Sequence, residues 1–188
     1  MTHTKTPFVV VSGPSGSGKT SICRRIAEDM GWYYSVSHTT RAQKENETNG
    51  RDYFFVTKEE FLNLRDNHEF LEWAVVYDNY YGTSKRIIDQ NLAQGRGVIL
   101  DVDTQGARNI KDVIADAVLI FIKTVEIDEL KKRLTRRGRD SDREIAKRLN
   151  RARDEMAHTD EYQHVVVNDD FERCVAEMKN IIKNNLEK

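Results

Sequence analysis

The sequence predicts an α/β fold: a parallel sheet flanked by helices, with a mixed α/β subdomain inserted into it and a helical lid. Three observations predict it. Short β-branched runs alternate with longer amphipathic stretches, the pattern of strands buried on both faces and covered by their connecting helices. That rhythm breaks from Ser35 to Thr83, where the chain is aromatic, strand-prone and rich in turn residues. A dense basic segment then runs from Lys131 to Arg153 and carries its own helix-start signal.

The first strand spans Phe8 to Val11, and the helix after it spans Ser17 to Met30. Within the insert, Lys58 to Arg65 reads as a short helix. Gly97 to Leu100, Val118 to Ile122 and His164 to Val167 are further apolar strands, each followed by a helical pattern. The last helix is the clearest, because Phe171, Cys174, Val175, Met178, Ile181 and Ile182 share one face at helical spacing. Asp169 or Asp170 stands where its N-cap belongs.

At 188 residues the chain suits one domain with a proper core. A formal net charge of -1 gives no global pull toward nucleic acid or a membrane surface. Cys23 and Cys174 fit neither a metal spacing nor a disulfide framework, which suits a reducing compartment. Met1 to Pro7 is polar and precedes only a few apolar residues, and no apolar run approaches membrane-spanning length. The expectation is a cytoplasmic protein, monomer or homodimer, with mobile lobes and no linkers or repeats.

Gly13-Pro14-Ser15-Gly16-Ser17-Gly18-Lys19-Thr20 matches the P-loop pattern G-x-x-x-x-G-K-S/T, directly after a strand and opening a helix. Glycines let the backbone curl so that several N–H groups point at phosphate oxygens, and the helix adds the positive end of its dipole. Lys19 supplies a charge for the β- and γ-phosphates, the Thr20 hydroxyl suits a magnesium ion, and Ser21 follows on the same helix. The alternative is a glycine-rich turn that merely joins strand to helix. Asp101 closes the strand Gly97-Val98-Ile99-Leu100 as a second magnesium ligand or a solvated strand-end acid. Asp103 shares its face if the strand continues.

Six further motifs then follow in order. Ser35-Val36-Ser37-His38-Thr39-Thr40-Arg41, Asn49-Gly50-Arg51-Asp52-Tyr53, Glu72-Trp73-Ala74 and Asn79-Tyr80-Tyr81-Gly82-Thr83 resemble the GMP-binding motifs of guanylate kinases. Asp101-Val102-Asp103-Thr104-Gln105-Gly106 and Val167-Asn168-Asp169-Asp170 resemble two more, so the likeness covers nearly the whole chain. It implies a single guanylate kinase-like domain over residues 1–188: core 1–34, 84–130 and 160–188, insert about 35–83, lid about 131–159. It implies transfer of the γ-phosphate of ATP, with Mg2+, to GMP or dGMP. Glu72 would accept the paired N–H donors of guanine, with Ser37, Thr83 and Asp103 completing the base pocket. Arg41, Tyr53 and Tyr81 would hold the GMP phosphate, although either tyrosine taken singly reads as a packing residue. Asn168 would contact the adenine or cap the last helix.

One departure stands out. The family's R-x-x-R here reads Arg41-Ala42-Gln43-Lys44, and a lysine keeps the charge without the bidentate fork. The resemblance then implies a weaker hold on the acceptor phosphate.

Ser141-x-x-Glu144 is a capping box, and Ile145, Leu149, Ala152 and Met156 give the following helix an apolar stripe. Arg137-Gly138 reads as a hinge-bearing loop. The segment is similar to the family's lid, whose arginines close over the triphosphate; Arg137 and Arg148 match best, and Arg133 less well. A solvated charged helix accounts for most of the other basic residues, and the cluster lacks the interleaved aromatics of an RNA-binding surface. Two rival readings are a kinase of this fold acting on a sugar bisphosphate and a non-catalytic phosphopeptide-binding scaffold. The insert motifs oppose the first, and the intact Gly18-Lys19-Thr20 opposes the second.

Overall fold

The structure is a computed structural model and describes residues 6–136 and 141–187. Its core is a five-stranded parallel sheet in the order β2-β7-β1-β8-β9. These strands are β1 (Phe8–Ser12), β2 (Tyr33–Tyr34), β7 (Val98–Asp101), β8 (Val118–Lys123) and β9 (His164–Val167). Every residue of β1 is buried, as a central strand covered on both faces requires.

The pleat divides its side chains between two cores. Val9 and Val11 pack with Ile22, Cys23 and Ile26 of α1 (Lys19–Met30) and with Cys174, Met178 and Ile182 of α7 (Phe171–Leu186). Phe8 and Val10 pack on the opposite face with Ile88 of α3 (Lys85–Ala93) and with Ala107 and Ile110 of α4 (Thr104–Val113). Both cysteines are buried free thiols. The expected helical stripe of α7 is present, with Phe171 at its exposed end, and Asp170 is the N-cap, accepting from the Arg173 amide.

Two expectations need adjusting. α1 begins at Lys19 rather than Ser17, because Gly18 is held in the left-handed region as its N-cap. β7 ends at Asp101, so Asp103 does not share a strand face with it; instead Asp103 caps α4, accepting from the Gly106 amide at 2.8 Å. The strand stops because a short polar side chain there satisfies the next helix's orphan N–H group.

The insert forms its own four-stranded sheet, order β4-β3-β6-β5, from β3 (His38–Thr39), β4 (Phe54–Phe55), β5 (Phe70–Val76) and β6 (Asn79–Ser84). The short helix is α2 (Lys58–Asp66), started by a reciprocal capping box between Thr57 and Glu60. β5 and β6 make an antiparallel hairpin with a register shift between Phe70 and Glu72, beyond which Glu72 lies opposite Thr83. Such a bulge re-aims side chains, and here Glu72 and Ala74 are buried while Trp73 and Val75 face out.

The segment expected as the lid, about 131–159, falls on α5 (Ile127–Arg136) and α6 (Asp142–Met156). Ser141 caps α6 and Glu144 reciprocates, as the sequence predicts. Leu130 and Leu134 of α5 meet Ile145, Leu149 and Ala152 of α6 in a small core separate from the sheet. The Arg137-Gly138 loop expected between them lies outside the described residues. Because all five core strands are parallel, their carboxyl ends share one edge, where open α/β sheets place their ligands.

Candidate active site

The phosphate loop leaves β1 at that edge. Gly13 has φ 137° and Gly18 φ 96°, and a Cβ at either would collide, with the Ile122 carbonyl and the Asn168 amide respectively. No side chain caps α1, so its first N–H groups stay available to an anion. Lys19 Nζ donates to the Gly13 and Pro14 carbonyls at 2.5 and 3.0 Å, which holds the ammonium over the loop. Gly16 and Ser17 are buried in the loop, and Ser21 is exposed on α1.

Thr20 and Asp101 meet directly, the hydroxyl donating to Oδ2 at 2.8 Å. Asp101 Oδ1 accepts from the Tyr34 hydroxyl at 2.5 Å. Burial, with Asp101 alongside, pushes the Tyr34 phenol well above its ordinary pKa, so it stays a donor. A hydroxyl beside a carboxylate is a hard-oxygen pair that fits Mg2+, an ion usually held by one or two protein oxygens plus substrate phosphates and water. Among the described residues no cluster of three or more histidine, cysteine or acidic side chains could hold a metal alone.

The residues expected around the base converge. Glu72 and Thr83 are both buried, and the Thr83 hydroxyl donates to Glu72 Oε1 at 2.6 Å. Burial raises the Glu72 pKa to about 7, against the Thr83 hydrogen bond, and the Asp103 carboxylate adds to the rise. Glu72 Oε2 lies against Gly106, where a Cβ would approach to 2.9 Å. Ser37 is half-buried just before β3, its carbonyl accepting from the Phe54 amide.

The residues expected on the acceptor phosphate also cluster. The Arg41 guanidinium lies 5.3 Å from the Tyr53 ring, whose centroid is 5.8 Å from that of Tyr81. Burial raises the Tyr53 pKa, so its hydroxyl too remains protonated. Arg41 Nη2 contacts both oxygens of Glu47 at 2.8 and 3.0 Å, and the Lys44 amide donates to the same carboxylate at 2.9 Å.

From the lid, Arg148 Nη1 donates to Ser15 Oγ at 2.8 Å. Arg151 reaches Asp103 Oδ2 at 2.7 Å and Glu155 Oε1 at 3.0 Å. Arg133 donates to the Asn168 carbonyl at 2.9 Å, and the Asn168 side-chain amide donates to the Ser17 carbonyl at 2.7 Å. Asn168 therefore braces the phosphate loop, and Asp170 takes the helix cap. A cleft of about 380 Å³ beside Asn168 is lined by Gly16, Gly18 and Phe171 and by both basic (Arg133, Arg136) and acidic (Glu129, Asp169) side chains. Arg137 lies outside the described residues.

A family model described as guanylate kinase matches residues 5–185. The chain belongs to the guanylate kinase family. It is 46% identical to the guanylate kinase of Shewanella sp. over 176 residues, 93% of this chain and 85% of that one. Identity to the guanylate kinase of Photorhabdus laumondii is also 46%, over 93% of this chain and 86% of the relative. The crystal structure of guanylate kinase from Anaplasma phagocytophilum superposes with a TM-score of 0.82 at 32% identity, covering 98% of this chain and 88% of that one. A shikimate kinase from Bacteroides thetaiotaomicron, with TM-score 0.55 and 15% identity over 94% of this chain, shares the fold alone.

For this guanylate kinase-family chain, three residues at the site escaped the sequence reading. Tyr34 sits on a two-residue strand with no motif to mark it. Glu47 carries no pattern of its own. Arg151 was one of many basic residues, although its place three after Arg148, on the same helical face, was a usable signal. Among the described residues no helix is long and apolar enough to cross a membrane.

Proposed function

We propose that this chain transfers the γ-phosphate of ATP to GMP, and to dGMP, giving ADP and the nucleoside diphosphate. The observation that carries this reading is the buried Glu72 carboxylate, hydrogen-bonded by Thr83 and neighboured by Asp103, beside an intact phosphate loop. Guanine offers N1–H and an exocyclic amine as adjacent donors that one carboxylate accepts together. Adenine lacks that pair and would leave a buried carboxylate unpaired, which is the basis of strong discrimination.

On the acceptor side, Ser37, Thr83 and Asp103 complete the base pocket, and Arg41, Lys44, Tyr53 and Tyr81 hold the phosphate. GMP phosphate competes with Glu47 for the Arg41 guanidinium. On the donor side, the backbone N–H groups from Ser15 to Thr20, with Lys19, cradle the β- and γ-phosphates. Arg148 and Arg137 neutralise charge at the γ-phosphoryl group, and the cleft that Arg133 and Asn168 line with Gly16, Gly18 and Phe171 takes the adenine. Thr20 and Asp101 would hold Mg2+, with Tyr34 fixing the carboxylate; the ion, when bound, would supply positive charge against the charge on the transferring phosphoryl group.

A GMP phosphate oxygen, already ionised near neutral pH, attacks the γ-phosphorus in line, and the bond to the ADP oxygen breaks. No general base is required, so alignment and charge stabilisation account for the rate. The insert and lid exclude water that would otherwise hydrolyse ATP.

The test is ADP formation from ATP and magnesium with GMP, dGMP, AMP, CMP and UMP offered separately. Turnover with GMP and dGMP alone supports the proposal. Comparable turnover with AMP contradicts the base pocket, and turnover with none contradicts the acceptor.

A further inference from the structure

Tyr77 has no part in the chemistry described so far. It stands at the tip of the β5–β6 hairpin, 41% exposed. Tyr77 and Asp78 both have positive φ, 48° and 66°. A tight hairpin turn of this twist asks for that conformation, but glycine, asparagine or aspartate supplies it far more readily than tyrosine. Backbone needs therefore do not account for an aromatic side chain at this position.

The ring points to another reason. The Arg151 guanidinium lies 5.2 Å from its centroid and the Arg148 guanidinium 5.9 Å. Both arginines come from one face of α6, three residues apart. One reaches Ser15 of the phosphate loop and the other Asp103 beside the base pocket. A single ring from the acceptor-binding insert thus faces the two α6 arginines that contact Ser15 and Asp103. The insert also bears on the start of α6 through charge, since Lys44 helps lower the pKa of Glu144 after the dominant hydrogen bonds from Ser141.

We propose that Tyr77 is a positioning residue that seats Arg148 and Arg151, so that the lid arginines align on the donor phosphate when the acceptor-binding hairpin is in place. Stacking on an aromatic face fixes the plane of a long, otherwise mobile side chain. Alignment of the transferring group is thereby tied to the lobe that carries the acceptor, which limits transfer to water. The proposal rests on the assignment of Arg148 to the donor phosphate.

Two full-length variants test it. Tyr77→Asn removes the ring with a residue suited to the left-handed turn, so the hairpin persists; Tyr77→Phe keeps the ring. In steady-state kinetics with ATP, magnesium and GMP, Tyr77→Asn should lower kcat about 5- to 30-fold, equivalent to roughly 1–2 kcal/mol. KM for GMP should stay within about twofold, because the ring makes no contact assigned to GMP, and Tyr77→Phe should keep the parent kcat. An unchanged kcat in Tyr77→Asn, or equal losses in both variants, overturns the proposal. Arg148→Ala separates the underlying assignment: full turnover there removes Arg148 from the donor site and the proposal with it. A loss at Arg148 with none at Tyr77→Asn overturns the coupling alone.

Discussion

Thr83 donates its hydroxyl proton to Glu72 Oε1 across 2.6 Å, and both side chains are buried on facing positions of the β5–β6 hairpin. The contact holds a carboxylate where solvent cannot. Burial destabilises the charged form more than the hydroxyl stabilises it, and the pKa settles at about 7. Under the proposed function, guanine brings two N–H donors that would supply the stabilisation that water no longer can.

The pH dependence of GMP use follows. Below about pH 7 a growing fraction of the free enzyme carries Glu72 protonated, and a carboxylic acid cannot accept both guanine donors. kcat/KM for GMP is expected to fall as pH drops from 8 to 6, with ATP binding nearly constant. A flat profile across that range would exclude Glu72 as the acceptor of guanine protons.

Stability without nucleotide should run the opposite way. A carboxyl whose folded pKa is raised from 4.5 to about 7 binds its proton more tightly when folded. Its contribution is fully present below the unfolded pKa and is lost as pH rises through about 7, by roughly 3 kcal/mol. Thermal melts from pH 5 to 8 should show this decline, and Glu72→Gln should flatten it. A decline of equal size in the variant would assign it to other groups.

Lys19→Ala removes the charge that sits over the phosphate loop, held by two loop carbonyls. Turnover should fall at least about 100- to 1,000-fold, the scale of losing one preorganised electrostatic donor, with the melting temperature little changed. Near-normal kcat in a folded variant would remove Lys19 from the reaction.

Tyr34→Phe deletes the hydrogen bond to Asp101 and leaves the Thr20 contact in place. The concentration of magnesium needed for half-maximal rate should rise about 10- to 100-fold, as when an outer partner of a metal ligand is removed. An unchanged magnesium response would show that Asp101 needs no such support.

Much of the fold was legible because its signals are local. Buried parallel strands leave continuous apolar runs, as in Phe8–Ser12, and capping leaves a spaced pair such as Ser141 and Glu144. β2 was not legible, since two tyrosines carry no period and pair only because β7 lies beside them. Asp103 looked like a strand residue because nothing in Asp101-Val102-Asp103 announces that the chain turns into a helix at Thr104. The expected base and phosphate residues came together, but their partners were hidden. That Glu47 would occupy Arg41, or that Asn168 would brace Ser17, depends on contacts across the fold that no spacing records.

The most direct test of the account is acceptor discrimination in Glu72→Gln, measured as the ratio of kcat/KM for GMP to that for AMP, alongside the parent protein and the ATP dissociation constant. An amide in place of the carboxylate presents a donor to guanine's own donor pair, so the ratio should collapse by about 100-fold or more while ATP binding stays within about twofold. An unchanged ratio in a variant that folds and binds ATP would contradict the account, because guanine would then be read by something other than the buried carboxylate.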